Sequence, residues 1–122
     1  MSFEFAATES GFNDGLGGAS SSEAEGEYHY IFFGRQTDSQ HPKNSGTYFE
    51  FDDQINGGVN LVRRIVIRDG DVTFTLTNSV TIRVIRKRDD IGWQELLRGI
   101  AESFEPELIQ AQQAEGSWPL PG

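Results

Sequence analysis

The chain changes its hydrophobic period once, near residue 89, and this change limits the folds that it can adopt. Before that point, apolar and polar residues alternate in several short runs, as they do in half-buried β-strands. After it, one apolar stripe recurs at helical spacing: Trp93, Leu96, Leu97, Ile100 and Phe104. Strands followed by a helix predict an α+β fold, an antiparallel β-meander of about five to six strands with a C-terminal helix packed on one face.

The 122 residues suit one small domain, which we divide into four segments. Residues 1–8 alternate as a first strand. Residues 9–27 contain five Gly, four Ser and four Glu, a composition that predicts a flexible loop. Residues 28–105 predict the α+β core domain. Residues 106–122 predict a short helix and an irregular tail: Pro106 ends the preceding helix or starts a new short one from Glu107 to Ala114.

Two aromatic runs predict strands of the core. Residues 29–34 are aromatic and β-branched on both faces, which favours a central strand buried on both sides. In residues 47–53, Phe49 and Phe51 face one side of the strand, and Tyr48, Glu50 and Asp52 face the other.

A hairpin is predicted around Asp69-Gly70, a dipeptide that favours a type I′ turn with positive φ at both residues. This turn pairs Ile67 with Val72 and Ile65 with Phe74. The second turn is predicted at Asn78-Ser79. Another strand then runs over residues 80–85, and Asp90 is the expected N-cap of the helix.

The formal net charge of −9 and the absence of cysteine exclude several functional classes. An acidic surface is unfavourable for binding nucleic acid or an anionic membrane. Without cysteine there is neither a disulfide framework nor a thiolate zinc site. No export signal or membrane-spanning run is visible in the sequence, so we expect a cytoplasmic protein. The charge is uneven, because residues 63–98 hold eight basic and five acidic residues.

Motifs that would indicate catalysis are missing from the sequence. It has two histidines, His29 and His41, and no nucleophile elbow, phosphate loop or metal-binding signature. The paired carboxylates fall at the predicted strand end, turn and helix cap, so we expect no enzyme, cofactor or metal site. The basic run of residues 83–88 alternates with core residues and predicts a solvated sheet edge that discourages strand pairing.

The central segments carry a resemblance to a known family. Residues 29–36 read HYIFFGRQ and residues 47–67 read TYFEFDDQINGGVNLVRRIVI, with the hairpin RDGDVTFTL directly after them. This order resembles the immunity protein 10 family of bacterial polymorphic-toxin systems. The resemblance covers about residues 28–105 and the first strand. Departures are the reversed order of Arg35-Gln36, a short spacer before Gly57 and no helical insertion after the hairpin.

The resemblance implies a cytoplasmic protein that binds and neutralises a cognate toxin, such as a basic nuclease. An acidic edge would steer a basic partner towards it. The matching positions and the carboxylates beside them form the predicted partner-binding set: Arg35, Gln36, Tyr48, Glu50, Asp52, Asp53, Gln54, Gly57 and Gly58.

Other interpretations stay open at this point. Gly57-Gly58 could be an ordinary loop or bulge, and Glu50 could pair with an arginine of a neighbouring strand. The chain could instead be a non-enzymatic small-ligand-binding or scaffold domain, which predicts an apolar pocket between sheet and helix or a dimer through a strand edge. An enzyme would need His29 or His41 beside a carboxylate.

Overall fold

The α+β class is confirmed by the computed structural model, which describes residues 1–21, 28–36, 46–87 and 91–111. These residues contain one α-helix, α1 (Ile91–Ser103), and one 3₁₀ turn (Pro106–Leu108). The strands in chain order are β1 (Ser2–Ala7), β2 (Glu9–Asn13), β3 (Leu16–Ser20), β4 (Tyr30–Gln36), β5 (Gly46–Phe51), β6 (Asp53–Val59), β7 (Val62–Ile67), β8 (Asp71–Leu76), β9 (Thr81–Arg86) and β10 (Ile109–Ala111).

The strands form two five-stranded sheets rather than a single meander. Strands β2 to β6 pair consecutively and antiparallel, and we call this layer the meander sheet. The other layer has the order β1-β9-β8-β7-β10 and is called the mixed sheet, because β1 and β10 pair in parallel with β9 and β7. The meander sheet is thus inserted in the chain between the first two strands of the mixed sheet.

Phenylalanine rings join the two sheets and the helix into one core. Phe49 of β5 lies against Phe74 of β8, with ring centroids 5.0 Å apart. Phe104, just after α1, lies 5.3 Å from Phe33 of β4 and 6.2 Å from Phe74. All five residues of the predicted helical stripe are buried, which confirms that the helix packs on one face.

The helix lies over β2, β3 and β4 of the meander sheet. Gly99 permits this contact, because a Cβ at that position would lie 2.4 Å from the ring of Phe12. The Arg98 guanidinium covers the same ring at 5.3 Å. At the C-terminus of the helix, the buried Thr47 hydroxyl donates to the Ser103 carbonyl oxygen, which satisfies an acceptor that the helix leaves free.

The loop predicted for residues 9–27 is wrong over residues 9–20, which form the hairpin of β2 and β3. Its turn is Asp14-Gly15, whose φ values of 54° and 79° are those that a type I′ turn requires. The glycine-rich composition has a packing reason, since a Cβ on Gly17 would lie 2.4 Å from the Phe33 ring. Residues 22–27 lie outside the described residues.

The hairpin of β7 and β8 has the predicted register but not the predicted turn. Ile67 pairs with Val72 and Ile65 pairs with Phe74, as expected. Neither Asp69 nor Gly70 has a positive φ, so the type I′ prediction is wrong there. The Arg68 amide donates to the Asp71 carbonyl oxygen, and this hydrogen bond closes the connection.

Three further expectations differ from the structure. Strand β4 is central, but it is buried on one face only, because Tyr30 and Phe32 remain half-exposed. Strand β9 is paired on both sides and is not an edge; Arg83 pairs across the sheet with Asp71 at 2.8 Å. Residues 109–111 form β10 instead of a helix, because β7 offers them a parallel partner. Asp90 and residues 112–122 lie outside the described residues.

We predict that Trp93→Ala lowers the free energy of unfolding by about 3–5 kcal/mol, because Trp93 is fully buried where helix and sheet meet. Thermal or urea unfolding followed by circular dichroism measures this loss. The exposed neighbour Gln94 is the control, and Gln94→Ala is expected to change stability by less than about 0.5 kcal/mol. Equal effects of the two substitutions would contradict the packing described.

We predict that Gly15→Ala and Gly70→Ala differ in effect although a Cβ meets no atom within 4 Å at either position. Only Gly15 has a positive φ, so Gly15→Ala is expected to cost roughly 1–2 kcal/mol. Gly70→Ala is expected to be neutral or slightly stabilising. Urea unfolding measures the free energy of unfolding of both variants, and the difference between them reports the turn conformation. A larger loss of stability for Gly70→Ala would refute the turn assignment.

Candidate functional site

The predicted partner-binding residues lie along the meander sheet from one end to the other. Arg35 and Gln36 lie at one end and Glu50 to Gln54 at the other, with Tyr48, Gly57 and Gly58 between them. Arg35 pairs with Thr47 near the end of β4, while Ile31, four residues earlier, pairs with Phe51. Roughly 13 Å of strand therefore separates Arg35 from the acidic end of β5. Arg35 instead forms an exposed ion pair with Glu105 at 3.3 Å, and Gln36 is exposed beside it. The structure thus divides the predicted site.

Glu50 lies on the outer face of the meander sheet, the face directed away from the core. Its carboxylate accepts a hydrogen bond from the Tyr30 hydroxyl on β4 and another, 2.6 Å long, from the Tyr48 hydroxyl. The open expectation that Glu50 pairs with an arginine is therefore wrong. Alternation along β5 places Tyr48 and Glu50 together outside because Phe49 points into the core.

The two tyrosines remain protonated at neutral pH and act as donors to Glu50. Burial raises the pKa of the Tyr30 hydroxyl well above its usual value, and the hydrogen bond to Glu50 and the nearby carboxylates raise it further. The hydrogen bond to Glu50 is the main cause of a raised pKa at Tyr48, followed by burial. Ionised phenols here would meet the Glu50 carboxylate, and this like-charge contact is unfavourable.

Asp52 holds the start of β4 in place. It adopts φ 60° in the turn between β5 and β6. One carboxylate oxygen accepts from the Tyr30 amide at 3.0 Å, and the other lies 2.9 Å from Nδ1 of His29. His29 therefore lies beside a carboxylate at this turn, which is the arrangement that an enzyme would need. His41 lies outside the described residues. Since both oxygens of Asp52 are engaged, its first role is structural.

Strand β6 forms one edge of the meander sheet and carries the remaining predicted residues. Asp53 and Gln54 are exposed. The pairing with β5 is irregular between Phe49 and Phe51: Phe51 pairs with Asp53 and Phe49 with Gly58, so residues 54–57 lie opposite Glu50 alone. Gly57 lies so close to the Tyr48 side chain that a Cβ at position 57 would be 2.2 Å from the Tyr48 hydroxyl oxygen. Gly58 pairs with Phe49.

Sequence reasoning missed the most exposed apolar side chain of this edge. Ile55 is 86% exposed and lies beside a cleft of about 460 Å³ between the two sheets. Met1, Phe3 and Phe51 also line the cleft. A single isoleucine between Gln54 and Asn56 has no alternating neighbours, so periodicity could not identify it; its β-branched type in a polar segment was the only signal.

A second groove, of about 540 Å³, crosses the outer face of the meander sheet. Tyr28, Tyr30 and Phe32 line it, and carboxylates of Glu9 and Glu50 lie in its wall. The sequence pattern marked Tyr30 and Phe32 only as strand residues, because it predicted burial on both faces of β4. Their half-exposure is what makes an aromatic surface here.

Between the helix and the sheet, the described residues pack against one another, whereas the small-ligand alternative predicts an apolar pocket there. The cavity beside α1 has about 430 Å³ and is lined by Arg35, Arg98 and Glu102 among others, so it is a polar surface depression. The apolar interface beneath it is filled by Phe12 and the helical stripe. Among the described residues, no three His, Asp or Glu side chains are grouped to hold a metal ion. The described part of the chain also has no helix that could span a bilayer.

Comparison of the chain with protein-family models, with curated proteins and with solved structures gives no match. The resemblance to the immunity protein 10 family therefore stays a prediction from the residues quoted above.

We predict that the protein loses stability as the pH rises above 10, the usual pKa of tyrosine. The pKa of Tyr30 and of Tyr48 is raised in the folded state, so the unfolded chain releases these protons first. The stabilisation is complete below the usual pKa and is lost as the pH rises towards the folded-state values. Melting temperatures at about pH 8 and about pH 11 measure this loss of stability. The double substitution of both tyrosines by phenylalanine should reduce the decline; an unchanged decline would contradict the assignment.

Proposed function

We propose that this protein is a bacterial immunity protein that binds a toxin protein and neutralises it in the cytoplasm of the cell that makes it. The contact surface is the β6 edge, which we define as Asp53, Gln54 and Ile55 with the adjacent cleft. The observation that carries this proposal is the exposure of Ile55, at 86%, on β6, the strand that ends the meander sheet among the described residues.

An unpaired strand edge offers backbone donors and acceptors to any other chain. Proteins protect such an edge with charged residues, proline, β-bulges or a covering element. Among the described residues, β6 ends the meander sheet and has both an exposed aspartate, Asp53, and an irregular pairing with β5, yet it also presents Ile55 to solvent. An apolar side chain at this position favours a surface that a partner covers.

The cleft beside Ile55 supplies the apolar part of an interface. Met1 is 85% exposed and Phe3 is partly exposed, and both line the cleft with Ile55. The Phe3 and Phe51 rings lie 5.6 Å apart, so the floor is aromatic. Interfaces concentrate binding energy in such central apolar positions, which surrounding polar residues shield from water.

Charge favours a basic partner. Asp53 is exposed next to Ile55, Asp52 lines the cleft, and the whole chain has a net charge of −9. A toxin that acts on nucleic acid carries a basic surface, because it must approach phosphates. Opposite charges would accelerate association and make it sensitive to salt. The filled interface between helix and sheet gives the small-ligand alternative no comparable support.

We predict that Ile55→Ser weakens binding of the cognate toxin, the effector, by about thirtyfold or more, as expected of a hot-spot residue. Calorimetry of the purified pair measures the Kd, and survival of cells that express both proteins measures neutralisation. Ile91→Ser is the matched control, because Ile91 is also exposed, at 79%, but lies at the start of α1.

A wild-type chain that protects cells against no neighbouring effector would overturn the proposed function. Equal losses from Ile55→Ser and Ile91→Ser would remove the β6 edge as the contact surface. Light scattering gives a third outcome: if the wild-type chain is a dimer and Ile55→Ser is a monomer, the β6 edge binds a second copy of this chain instead of a toxin.

A further inference from the structure

We propose that the aromatic groove on the outer face of the meander sheet binds a guanidinium group, supplied by an arginine side chain of the partner protein. We define the groove by Tyr28, Tyr30, Phe32, Glu9 and Glu50. That the arginine belongs to the partner depends on the proposed function, whereas the affinity for guanidinium depends only on the groove.

The groove has a flat floor bordered by rings. Gly11 pairs with Gly18, and Gly18 pairs with Phe32, so no side chain rises from β2 or β3 beside the Phe32 ring. Gly18 is required there, because a Cβ would lie 2.7 Å from the Ile31 carbonyl oxygen. The Tyr28 and Tyr30 rings lie 6.0 Å apart along the wall. A planar group therefore has ring faces available to it and space on the floor.

The groove carries negative charge that the described residues do not neutralise. The hydrogen bonds of the Glu50 side chain within the described part of the chain come from two tyrosine hydroxyls, which are neutral donors. The ion pairs between described residues involve other carboxylates: those of Glu4, Asp52, Asp71, Glu95, Glu102 and Glu105. A half-buried carboxylate without a cation favours a cationic ligand.

The donor pattern favours guanidinium over ammonium. A carboxylate has about four lone-pair sites, and the tyrosines occupy two at Glu50, so two remain for a forked donor. Guanidinium is planar, stacks on aromatic rings and binds carboxylates through two parallel hydrogen bonds, whereas ammonium is compact and more strongly hydrated. Glu9 lies three strands from Glu50, roughly 14 Å away, so one guanidinium meets only one of them.

The first experiment needs no partner. The isotopically labelled full chain is titrated with the peptide Gly-Arg-Gly and followed by NMR, with Gly-citrulline-Gly as the uncharged control of the same shape. We expect saturable shifts of the amide signals of Gly18, Phe32 and Glu50 with the arginine peptide only. Glu50→Gln is expected to weaken binding about tenfold or more, because a charge-assisted hydrogen-bonded pair is lost.

Two variants separate the groove from a general effect of charge. Glu107→Gln makes the same charge change at an exposed site on the 3₁₀ turn and should leave the affinity unchanged. Phe32→Leu keeps the carboxylate but removes a ring, and should also weaken binding. Equal shifts with the citrulline peptide, or equal losses from Glu50→Gln and Glu107→Gln, would overturn the assignment, as would the absence of any saturable shift.

The second experiment tests the source of the arginine. Glu50→Gln is expected to weaken effector binding about tenfold, and a low-salt titration should show a reduced salt dependence. If Glu50→Gln leaves effector binding intact although the groove binds the arginine peptide in the first experiment, the arginine does not come from the partner. The proposed contact at the β6 edge would not be affected by this outcome. Failure of the effector to bind the wild-type chain would overturn the proposed function and leave guanidinium binding by the groove intact.

Discussion

The contact between the phenylalanine rings of the two sheets is the constraint on which both candidate surfaces depend. Phe33 and Phe49 occupy the inner face of β4 and β5, where they meet Phe74 and Phe104. Because side chains alternate along a strand, fixing these rings inside fixes Phe32 and Glu50 outside. The aromatic groove is therefore the reverse side of the core, and a one-residue slip of β4 would exchange the two.

Local patterns gave the elements that depend on neighbours close in sequence. The helical stripe from Trp93 to Phe104, the register of β7 with β8, and the alternation of Phe49 with Glu50 all follow from residue spacing. The division into two sheets does not, because β1 pairs with a strand about eighty residues away. The hairpin of residues 9–20 was hidden for another reason: the inward positions of β3 are Gly17 and Ala19, and a Cβ on Gly17 would meet the Phe33 ring.

The candidate site shows the same division between local and non-local information. The sequence placed Tyr48, Glu50 and Asp53 near one another, since Tyr48 and Glu50 belong to β5 and Asp53 begins the next strand, β6. It could not indicate that Tyr30 completes the carboxylate cluster, nor that Asp52 is used to hold His29 and the β4 backbone. Arg35 was grouped with these residues by the resemblance alone, and strand geometry separates it from them.

The order of the strands also sets an order for folding. Every pair in the meander sheet joins consecutive strands, so its loops are short and close quickly. The mixed sheet is different. Strand β1 can pair only when β9 has been synthesised, and β10 can pair with β7 only after the helix has been synthesised. On a ribosome, β1 must therefore wait without a hydrogen-bonded neighbour strand while most of the domain is synthesised. The groove-bearing sheet can form early, whereas the cleft beside Ile55, which needs Met1 and Phe3, is completed among the last features of the fold.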